Sequence, residues 1–67
     1  MSRQWLREIR DAQSLTQKQT SEMAQISDSY YSLIESGERG VSTTIAKKLA
    51  EVLGFEAYGF DWTKFFE

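Results

Sequence analysis

The chain has 67 residues, 40% of them hydrophobic and 27% charged, which is the balance of one small globular domain rather than of a disordered segment. It holds no Cys and no His, so disulfides, thiolate metal sites and the commonest general base and metal ligand are missing, and neither an enzyme nor a cofactor or metal site is expected. Eight Lys and Arg against ten Asp and Glu leave a net charge of −2, and no apolar run nears the roughly 20 residues of a membrane span. The N-terminal MSRQWLRE carries charge where a signal peptide needs an apolar run, so a cytoplasmic address is expected.

In chain order, Arg3 to Gln13 is predicted as a first helix, with Leu6 and Ile9 on one face and Arg7 and Asp11 off it, ending near Ser14. Thr16 caps a second helix. Its hydroxyl can accept the Gln19 amide while Gln19 reaches back to the Thr16 amide, a capping box. This helix ends near Gln25. Ser27 caps a third, with Asp28 in its positive first turn, and Gly37 stops it in a left-handed conformation. Gly40 permits another turn. Ser42 caps a fourth helix, whose Ile45, Leu49, Val52 and Leu53 follow a 3.6-residue period before Gly54 closes it. The tail FEAYGFDWTKFFE is dense in aromatics, and Asp61 is placed to cap a last short helix, Trp62 to Phe66. All signals are helical, so a five-helix all-α domain over residues 1–67 is expected, with residues 55–67 as an aromatic tail.

The second and third helices have the pattern of a steep helix–turn–helix crossing. Ser21 is small where the third helix must pass over it, and Ile26 fills the turn. Thr20, Ala24, Tyr31 and Ile34 face inward. Gln17, Asp28, Ser29, Ser32, Leu33 and Ser36 face outward, as a surface that reads a DNA groove must.

The stretch from Leu6 to Phe55 resembles the phage repressor/Cro (XRE-type) helix–turn–helix family. The resemblance rests on Leu6, Ile9 and Arg10; Leu15, Thr16, Gln17 and Glu22; Ile26 and Ser27; SLIESG from Ser32 to Gly37; and IAKKLAEVLGF from Ile45 to Phe55. The ending DWTKFFE is similar to those of short repressors from low-GC Gram-positive bacteria and their phages. The resemblance implies a lambda-repressor-like domain that binds double-stranded DNA at a palindromic operator, as a weak symmetric homodimer and with no small-molecule substrate. It implies a phosphate contact at Gln17, base contacts at Asp28, Ser29, Ser32 and Leu33, and backbone contacts at Arg39, Ser42 and Thr43. It also implies a partly buried pair between Arg10 and Glu35. The family's usual glycines are replaced by Ser14 and Gln25, its apolar inward residue by Thr20, and its proline before helix four by Val41.

The residues leave some roles open. Asp28 can accept from a cytosine amine, or only stabilise its helix terminus. Leu33 can pack on a thymine methyl or serve the fold. Tyr30 can donate to a phosphate or simply lie on the surface, and Lys18 stands behind Arg39 as a basic phosphate ligand. Trp5, Tyr58, Phe60, Trp62, Phe65 and Phe66 either all cover helices one and four or leave a remainder for a dimer interface. Residues 1–49 hold seven basic and six acidic groups, whereas residues 50–67 hold Lys64 against Glu51, Glu56, Asp61 and Glu67. The acid excess therefore lies in the tail. Two functions follow: a sequence-specific regulator, repressing its target genes, or an adaptor or antirepressor that kept the shape and binds protein.

Overall fold

The computed structural model describes residues 2–67, in which four α-helices and no strand are present. They are α1 (Gln4–Ala12), α2 (Gln17–Ala24), α3 (Asp28–Ser36) and α4 (Thr43–Leu53). The predicted caps explain most of these limits. Gln19 N donates to Thr16 Oγ1 at 3.0 Å and Thr16 N to Gln19 Oε1 at 2.9 Å, completing the capping box of α2. Ser27 Oγ accepts from Tyr30 N at 3.1 Å and Ser42 Oγ from Ile45 N at 3.2 Å, so α3 and α4 begin where expected. The start of α1 is held differently. Arg3 N donates to Glu35 O at 2.8 Å and its guanidinium to Ile34 O at 2.6 Å, which clamps the first helix to the end of the third.

Both positions that lack a glycine adopt the left-handed conformation anyway. Ser14 has φ 58° and Gln25 φ 60°. Leu15 N then reaches back to Arg10 O at 3.2 Å, and Ile26 N to Ser21 O at 3.0 Å, closing α1 and α2 with the hydrogen bonds a glycine usually enables.

The core is built from Leu6 and Ile9 of α1, Ala24 of α2, Tyr31 and Ile34 of α3, and Ala46, Leu49 and Leu53 of α4, closed by Phe55 and Phe65. Thr20 is fully buried, and its hydroxyl donates to Thr16 O at 3.0 Å, so a polar side chain stands in an apolar position without an unmet bond.

The expected fifth α-helix is absent. Trp62–Phe66 winds instead as a 3₁₀ turn, with Asp61 Oδ1 accepting from Thr63 N at 2.9 Å, and a second 3₁₀ turn, Phe55–Tyr58, precedes it. The reason is geometric. Gly54 and Gly59 both sit at positive φ and bracket only four residues, so Phe55–Tyr58 is too short to complete an α-helical ladder, whereas Trp62–Phe66 is shaped by its packing on α4, with Phe65 buried against Trp5 and Phe55. The tail still covers α1 and α4. Trp5 meets Phe65 edge-on at 5.1 Å, Phe55 at 5.7 Å and Phe60 at 6.0 Å.

Candidate nucleic-acid interface

α3 crosses α2 at Ser21, which has no exposed surface and whose single hydroxyl proton is shared between Lys18 O, at 2.8 Å, and Asp28 Oδ1. The small side chain lets the helices approach, and its hydroxyl pins the first residue of α3. Asp28 therefore has one carboxylate oxygen committed within the corner, while the residue as a whole is exposed. Beyond it, Ser29, Ser32, Leu33 and Ser36 are exposed along the same helix. Ser29 and Ser32 make no side-chain hydrogen bond among the described residues, whereas Ser36 bonds Leu33 O and Glu38. Leu33 keeps 36% of its surface.

Beneath this face lies the Arg10–Glu35 pair. Arg10 Nε and Nη2 each donate to a different Glu35 oxygen at 2.9 Å, and Nη1 donates to Leu15 O at 2.7 Å. Both residues are more than nine-tenths buried. Gln17 Nε2 donates to Glu35 Oε1 at 3.3 Å, so the side chain expected on a phosphate leans inward and keeps one amide hydrogen for outside use. Burial alone would raise the Glu35 carboxyl, but the donors from Arg10 and Gln17 outweigh it and hold it below the usual range. The Tyr31 hydroxyl is buried next to this pair without a hydrogen-bond partner of good geometry. Burial, then the neighbouring Glu35 carboxylate, pushes its phenol far up.

On the other flank, Arg39 lies over the Tyr30 ring, 5.6 Å from its centre, so two residues expected on the DNA backbone are brought together. The loop is held by Arg39 N on Leu33 O at 3.2 Å and by Arg3 Nη1 on Arg39 O at 3.0 Å. Ser42 and Thr43 are exposed at the start of α4, the Ser42 oxygen already serving as cap. Lys18 is exposed on α2.

Sequence reasoning left Arg3 and Arg7 out of the site. Both line a cleft of about 260 Å³ together with Gln17, Ser32, Glu35 and Ser36. Their signal was present: positions 3 and 7 are one helical turn apart, which puts two arginines on one side of α1. Arg7 is exposed and 3.5 Å from Asp11, a contact weak enough to exchange for a phosphate.

Residues 6–60 match the family described as Helix-turn-helix, HTH_3. The chain belongs to this helix–turn–helix family. It is also 43% identical, over its whole length and 82% of the relative's, to YqaF of Bacillus subtilis (strain 168), an uncharacterized HTH-type transcriptional regulator. No solved structure gives a significant match. Among the described residues, no helix is long and apolar enough to cross a membrane. The helix–turn–helix itself is α2, the turn around Gln25 and Ile26, and α3; Arg39, Ser42 and Thr43 follow it in the chain.

Proposed function

We propose that this protein is a sequence-specific DNA-binding transcriptional regulator, a repressor of the type carried by phages and mobile elements. α3 lies in the major groove of a palindromic operator. Asp28, Ser29, Ser32 and Leu33 meet base edges; Gln17, Arg7, Lys18, Tyr30, Arg39, Ser42 and Thr43 meet phosphates on either side. The observation that carries this reading is the composition of the exposed α3 face. Its Ser29 and Ser32 are unbonded and its leucine is open, while the buried Arg10–Glu35 pair fixes the helix beneath them. Two copies sit on one face of the duplex, their reading helices roughly 34 Å apart. Tyr58 and Phe66, exposed on the tail, supply their contact.

Selection of bound sequences from random duplex DNA tests this. A recovered palindrome with half-sites one helical turn apart is the expected result. Enrichment of no sequence, at a salt concentration where basic control proteins still bind, would favour the adaptor reading instead.

A further inference from the structure

Arg3 stands just before α1, yet its side chain reaches three other parts of the chain. Its Nη1 carries two hydrogens and donates both: to Ile34 O at 2.6 Å, near the end of α3, and to Arg39 O at 3.0 Å, in the loop that follows. The guanidinium lies over the Phe65 ring, 5.7 Å from its centre, so the tail forms a floor beneath it. The loop has little else to hold it. Glu38 N and Arg39 N both donate to Leu33 O, at 3.0 and 3.2 Å. Beside Gly40 the space is open: a Cβ built there would meet nothing within 4 Å. Among the described residues, the Arg39 carbonyl accepts from Arg3 alone. This charge-assisted bond therefore fixes the peptide that links Arg39 to Gly40, and with it the backbone from which the Arg39 side chain extends over Tyr30.

We infer that Arg3 is a positioning residue: it holds the Arg39 loop against the end of α3, so that Arg39 and Tyr30 meet one stretch of DNA backbone together. The inference rests on the proposed phosphate contact of Arg39. An arginine on a free loop gives up backbone and rotamer freedom when it binds a phosphate, whereas one on a loop already fixed gives up less. Arg3 itself is partly buried, and one of its two terminal nitrogens is committed to carbonyls, so its effect on DNA passes through Arg39. Lysine is a poor substitute. Its ammonium ends one bond nearer the backbone and lacks the planar fork, so it cannot span both carbonyls from the same place.

The test has one arm without DNA and one with it, both on the full chain. Without DNA, Arg3→Met should lower the backbone order of Glu38, Arg39 and Gly40, read by NMR relaxation, from about 0.85 towards 0.6, while α2 keeps its native values. With DNA, the probe is the duplex recovered by selection from random sequences. Arg3→Met should weaken its binding about fivefold in the native background, but less than about twofold on top of Arg39→Ala. Arg3→Lys keeps the charge and serves if Arg3→Met disturbs the fold; it should weaken binding about threefold with the same non-additivity. Equal losses in the two backgrounds would make Arg3 a phosphate ligand in its own right and overturn the inference. So would unchanged order in the loop, or native affinity in Arg3→Lys, which would reduce the effect to charge. A native chain that selects no duplex overturns the proposed function and this inference with it; a native chain that binds, with losses that add, overturns the inference alone.

Discussion

At the scale of single residues, Gln25 and Ser14 carry a measurable strain. A left-handed conformation costs a side chain about 1 kcal/mol or more that glycine does not suffer. Gln25 recovers little, since its one outward contact is with Lys48 Nζ at 3.4 Å on the surface. Gln25→Gly should therefore raise stability by about 1 kcal/mol, seen as a rise in Tm of roughly 4–8 °C for a domain this size. An unchanged or lower Tm would mean that the turn is not strained in solution. The Arg10–Glu35 pair acts in the opposite sense. Arg10→Met leaves a buried carboxylate without its bidentate partner and should cost about 3–5 kcal/mol in denaturant unfolding; native stability would show that the pair does not hold the fold. The pH dependence follows from the same group. Glu35 is held below its ordinary value of 4.5, so its contribution is present above that pH and is lost as pH falls through the folded-state value. Tyr31 is raised above its ordinary 10.0, so its contribution is complete below pH 10.0 and is lost as pH rises further. Tyr31→Phe should remove the alkaline loss at little cost, because the hydroxyl has no good partner to lose.

At the scale of elements, the starts of α2, α3 and α4 were legible because each carries a local cap, whereas α1, held by Arg3 on Glu35 O and Ile34 O, carries none. Thr16, Ser27 and Ser42 are caps whose geometry depends on two or three neighbours, so sequence alone places them. The Arg10–Glu35 contact spans 25 positions and was reached through resemblance, not through spacing. The tail was read one step too far. Asp61 and the aromatic run announce a helix start, but helix type depends on how the chain packs on α4, which no local pattern states. Equally hidden was the inward lean of Gln17, since a glutamine at a helix start looks the same whether it meets solvent or a buried carboxylate. The tail's value to the fold can be measured. Phe65 is buried against Trp5 and Phe55, whereas Phe66 is 54% exposed. Phe65→Ala should cost about 3–5 kcal/mol, enough to unfold much of a domain this small at 37 °C. Phe66→Ser, which gives up only a half-exposed edge-on contact with Trp62 at 6.1 Å, should cost about 1 kcal/mol or less. Equal losses in thermal melts would place both rings in the core.

At the scale of the whole molecule, the net charge of −2 and a DNA-binding role are compatible because the charges are separated. Arg3, Arg7, Lys18 and Arg39 belong to α2, α3 and the segments packed beside them, where Glu22, Asp28 and Glu38 also lie, while the acid excess, Glu51, Glu56, Asp61 and Glu67 against Lys64, belongs to the end of α4 and the tail. A duplex on the α3 face meets the first set. Each cation that neutralises a phosphate releases condensed counterions, so Arg39→Ala and Arg7→Ala should each flatten the dependence of log K on log salt by about one unit, on every sequence alike. Ser32→Ala should instead leave the slope intact and shift preference at one or two base pairs. In the proposed docking, the same distribution keeps the tail clear of DNA and available to a neighbouring copy. Phe66→Ser, which spares the fold, distinguishes this role from mere packing when it is measured on one half-site and then on two. Intact affinity for a single half-site with reduced cooperative occupancy of the pair is the expected outcome. If both affinities fall equally, or neither changes, the copies do not meet through Phe66, and the proposed pairing surface is wrong even though the reading face stands.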